Sequence, residues 1–63
     1  MAELFAPCIV AQIAAVEREL KMRRSVYPRW IASKKMTREK ADYEIGAMEA
    51  VLRTLERVRD ERG

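Results

Sequence analysis

Two apolar stripes run along this chain, separated by a basic stretch that holds its one tryptophan. In the first half, Ile9, Ile13, Val16 and Leu20 recur at spacings of four, three and four residues. In the second, Ala41, Ile45, Met48, Leu52 and Leu55 recur at four, three, four and three, and Val51 and Val58 widen the stripe. That period places each set on one face of an α-helix. The pattern predicts one helix over about 7–26 and another over about 38–62. Pro7 suits a first helical turn, where its missing N–H has no intrahelical role. Glu17 precedes Lys21 by four residues, and Glu19 precedes Arg23 by four. Both pairs have the orientation that supports a helix.

Between the stripes, Pro28 disfavours helical geometry at Tyr27 and removes a backbone donor. The first helix is therefore expected to end or kink near Val26, with a short helical turn over about 28–33. Thr37 is placed to cap the second helix, with Glu39 in its first turn. Lys40 stands where a capping box would need an acid or glutamine. Gly46 costs about 1 kcal/mol relative to alanine in a helix. It is either simply tolerated or lets another helix approach closely.

These elements predict an all-α fold, an antiparallel helical hairpin forming a single domain over 1–63. At 1.5 Å per residue the helices would be roughly 27 Å and roughly 37 Å long, leaving part of the second without a partner. Two hairpins paired into a four-helix bundle would cover both stripes. The predicted contact residues are Ile9, Ile13, Val16, Leu20, Ile45, Met48, Leu52 and Leu55. Composition points the same way. Sixty-three residues bury only a small core. One cysteine and no histidine exclude an intrachain disulfide and argue against a structural zinc. Self-association is the remaining aid, so a homodimer is expected.

The chain is 49% hydrophobic and 37% charged, too apolar for disorder. No apolar run approaches the ~20 residues of a membrane span. Glu3 is acidic where a secretory signal would be basic, and the apolar residues after it lead into an amphipathic helix. A cytoplasmic protein with a reduced thiol is expected, and Cys8 is read as a buried, inert one.

The net charge of +3 conceals an asymmetry. From Lys21 to Lys40 there are eight cations and one acid, a net of +7, against −4 for the rest. A basic corner attracts acidic protein surfaces or phosphate backbones, unless it serves solubility alone. Within it, Arg23, Arg24, Tyr27, Arg29, Trp30, Lys34 and Lys35 are the candidate partner-binding residues. Trp30 either plugs the end of the bundle or meets a partner. Tyr27 can bury its ring and leave its hydroxyl wet.

Catalytic chemistry is not visible. Without histidine there is no Ser/His/Asp set and no Glu-x-x-His metal pair. No glycine-rich phosphate loop occurs. Glu56 and Asp60 are helix neighbours, which fits a solvated face. Met22, Met36 and Met48 read as adaptable packing. No enzyme activity, cofactor, metal or small-molecule substrate is expected.

One resemblance is carried by specific residues. The segment Glu19-x-x-Met22-Arg23-x-x-Val26-Tyr27-Pro28-x-Trp30, followed by Met36-Thr37-x-x-x-Ala41-x-x-Glu44-Ile45-x-x-Met48-Glu49, resembles a group of small bacteriophage and prophage proteins. It spans Glu19 to Val58 and leaves the segment to Val16 uncovered. Members of that group often have glycine where this chain has Ser33 or Lys34. The resemblance implies a phage accessory protein without an established activity. Such proteins commonly bind host factors, including defence systems, or assist phage DNA transactions. A protein partner is the first expectation, nucleic acid the alternative, and a purely structural oligomer the third.

Overall fold

The computed structural model describes residues 8–62, in which two helices, α1 (Ile9–Ala32) and α2 (Arg38–Arg62), pack against each other as a hairpin. No strand occurs among the described residues. The expectation for Pro7 falls outside them. Cys8 occupies the N-cap position of α1 with extended geometry, φ −69° and ψ 168°. Its thiol is exposed rather than buried, because it precedes the helix at the open end of the hairpin.

The largest departure from the sequence expectation is at Pro28. It lies inside α1, which continues unbroken to Ala32, so there is neither an end near Val26 nor a separate turn over 28–33. A proline in a helix interior costs about 3 kcal/mol. Packing offsets that cost. Ile13, Leu20 and Tyr27 are the buried residues of α1, each seven residues after the last. Ending the helix at Val26 would take Tyr27 off this seam. Burying an aromatic ring of its size is worth roughly 2–3 kcal/mol. The added turn also closes well. Lys35 N–H donates to the Trp30 carbonyl at 2.8 Å and Lys34 N–H to the Ile31 carbonyl at 3.0 Å. These are the two bonds of a Schellman stop. Lys34 takes the left-handed conformation this stop requires, φ 62°, where glycine would be easier.

The second helix begins as the sequence predicts. The Thr37 hydroxyl accepts a hydrogen bond from the Lys40 N–H at 3.1 Å, and the Thr37 carbonyl accepts one from Ala41 N–H. With α1 at 24 residues and α2 at 25, the expected length mismatch disappears. Gly46 has open space where a side chain would begin, so no helix of this chain approaches it closely.

The core is thin. Ile13, Leu20, Tyr27 and Ala41 are buried, while Ile45, Met48, Leu52 and Leu55 are only half-buried. Among the described residues no helix is long and apolar enough to cross a membrane.

Candidate functional site

The basic corner resolves into two populations of cations. Arg23 and Arg24 are neighbours on α1, so their side chains leave the helix about 100° apart. They straddle the seam and clamp α2 from both sides. Arg23 Nε donates to Glu19 Oε2 at 2.7 Å, while its Nη1 donates to the Glu44 backbone carbonyl at 3.0 Å and approaches Glu44 Oε1 at 3.4 Å. Its side chain is only 19% exposed. The hydrogen bond to Glu19 raises the Arg23 pKa above its usual value. Arg24 reaches Glu49 Oε2 at 2.5 Å in a far more open setting. Lys40 pairs with Glu44 at 3.3 Å. The Glu19–Arg23 support expected from the sequence is thus present, whereas Glu17 and Lys21 form no such pair.

The second population sits at the turn. Arg29, Lys34, Lys35 and Arg38 are exposed and have no ion-pair partner among the described residues. Beside them the two aromatics part company. Tyr27 is 7% exposed and belongs to the core. Trp30 is 42% exposed and leans on Tyr27, with ring centroids 5.6 Å apart and planes tilted by 32°. An open hollow at the turn is lined by Trp30, Ile31 and Met36, with Lys34, Lys35, Arg38 and Lys40 around them. Trp30 is therefore the exposed aromatic and Tyr27 the plug.

Of the seven residues predicted from sequence, the structure gathers Arg29, Trp30, Lys34 and Lys35 on the exposed end, pairs Arg23 and Arg24 with carboxylates of α2, and buries Tyr27. Arg38 joins the exposed group. Its charge was visible in the sequence, but its place across the hollow from Trp30 depends on how the turn folds back. Folding also dilutes the charge contrast. Asp42 and Glu44 return along α2 to the basic end. The half nearer the turn, residues 21–48, carries eight cations and three acids, net +5. The described remainder carries five cations and six acids, net −1.

The predicted dimer residues also divide. Ile13 and Leu20 face α2 within the chain and are covered there. Ile9, Val16, Ile45, Met48, Leu52 and Leu55 keep part of their surface exposed. No group of three or more potential metal ligands occurs among the described residues. Comparison with protein-family models, with curated proteins and with solved structures finds no match.

Proposed function

We propose that this chain is a non-enzymatic accessory protein of the phage type, cytoplasmic and homodimeric, that acts by binding another protein through the turn end of its hairpin. One observation carries this reading: a half-exposed tryptophan beside a hollow where Lys34, Lys35 and Arg38 have no carboxylate partner among the described residues. Unpaired cations around an aromatic anchor suit an acidic surface that also presents an apolar side chain. Tryptophan and arginine are the residue types that most often dominate binding energy. A host factor, including a component of a defence system, is the class of partner that the phage resemblance adds.

Nucleic acid is the second reading. It is favoured by the same tryptophan, since an exposed ring beside cations can stack on a base while the cations hold phosphate.

Affinity capture from host lysate, with and without nuclease, separates the two. The comparison is between the natural chain and variants Trp30→Ala and Lys34→Glu/Lys35→Glu. The expected result is a nuclease-resistant protein partner whose recovery falls at least about tenfold in both variants, as loss of a binding hot spot implies. Recovery unchanged in both variants removes the turn end as the site. Recovery abolished by nuclease moves the assignment to nucleic acid.

A further inference from the structure

The two faces of the hairpin differ in character. Arg23–Glu44 marks one side of the seam and Arg24–Glu49 the other. Steps of seven residues stay on one side of a helix. From Arg24 such a step back reaches Glu17, and from Glu49 steps reach Asp42 and Glu56, so that face is charged. From Arg23 the steps back reach Val16 and Ile9. From Glu44 the steps forward reach Val51 and Val58. Met48 and Leu55, one helical turn away, flank this second row. The opposite face is thus aliphatic over the half that carries the chain ends. It stops at the Arg23–Glu19–Glu44 cluster, beyond which lies Trp30.

This aliphatic face is incompletely covered. Val51 is 41% exposed, and Ile9, Val16, Met48, Leu55 and Val58 are half-buried. We infer that a second copy of this chain covers it, packing the two terminal halves face to face so that the basic turns project at opposite ends. Three observations select this occupant and orientation. The patch repeats at heptad spacing on both helices, which suits shallow-angle packing into a four-helix layer. It lies on the half whose described residues carry a net charge of −1, so two copies meet there with little repulsion. Placing the hairpins in the same direction would instead bring two +5 turn halves together. This antiparallel pair leaves both Trp30 hollows free and makes the assembly bivalent. The inference rests on the self-association proposed above, but not on the nature of the partner.

The test uses matched substitutions on the two faces. Val10 lies seven residues before Glu17 on the charged face and is 63% exposed. Light scattering at about 100 μM, well above the micromolar range typical of weak association, is expected to give twice the single-chain mass. Val51→Arg should halve that mass, and Val10→Arg should leave it unchanged. Orientation is read by spin labels at the turn, from Ser33→Cys in a Cys8→Ser background. At 1.5 Å per residue, the antiparallel pair places the labels roughly 50–60 Å apart, and the same-direction pair within roughly 25 Å. A natural chain of single mass overturns the dimer altogether. A dimer broken by Val10→Arg and not by Val51→Arg overturns the face alone. A label distance under roughly 30 Å overturns the orientation.

Discussion

Arg23 and Arg24 are the same residue type, side by side, yet they do different things. Arg23 satisfies a carboxylate on its own helix and a backbone carbonyl on the other, largely out of water. Arg24 makes one pair at the surface, with its side chain 55% exposed. Arg23→Ala should therefore cost about 1–3 kcal/mol, as loss of charge-assisted bonds to a carboxylate and a backbone carbonyl. Arg24→Ala should cost under about 1 kcal/mol, the range of exposed ion pairs. Denaturant titration of the two variants checks the order, and equal costs would mean that Arg23 is no clamp. Both were nominated from sequence as partner contacts because they belong to a basic cluster. Their pairing with α2 was not legible, since it depends on which residues of α2 come to lie opposite. The Arg29, Trp30, Lys34 and Lys35 nominations needed less. They lie at the turn, where little else of the chain can cover them.

At the scale of the elements, local signals and packing agree for α2 and compete for α1. Thr37 sets the start of α2 by a local hydrogen bond, so its beginning was readable from composition and spacing. Pro28 carries an equally local signal, and packing overrides it. The heptad that buries Ile13 and Leu20 reaches Tyr27 only if the helix runs on past the proline. Pro28→Ala should restore a donor to the Arg24 carbonyl without disturbing an exposed position, raising stability by up to about 3 kcal/mol. For a domain of this size that is more than about 10 °C in Tm. A lower Tm would show that the proline sets a helix shape on which the fold depends.

The whole molecule joins a thin seam, an aliphatic face and a basic end. Among the described residues four side chains are buried, a slight core for a chain with one cysteine and no histidine. If the proposed pairing supplies the missing burial, folding and association are linked, and Tm must rise with chain concentration. Thermal unfolding over a hundredfold range of concentration measures this, and a constant Tm would mean that the hairpin stands alone. The separation of the two surfaces matters for function. The proposed self-association uses the terminal half and the proposed partner contact the turn, so Val51→Arg should break the pair without removing the turn contact, and Lys34→Glu should do the reverse.

The helices, the cap of the second, the heptad spacing and the basic middle of the chain can all be read from the residues alone. These follow from helix period, capping and charge, all of which act within a turn or two of backbone. Packing of α1 against α2 sets how far α1 extends and whether Tyr27 or Trp30 is buried. Packing also sets which cations lack a partner among the described residues, and that one face is aliphatic while the other is charged. Each of those depends on the side of the α1–α2 seam a residue faces, and one residue along a helix turns that direction by about 100°. That rotation is why Arg23 and Arg24, adjacent in the sequence, end on opposite faces of the hairpin.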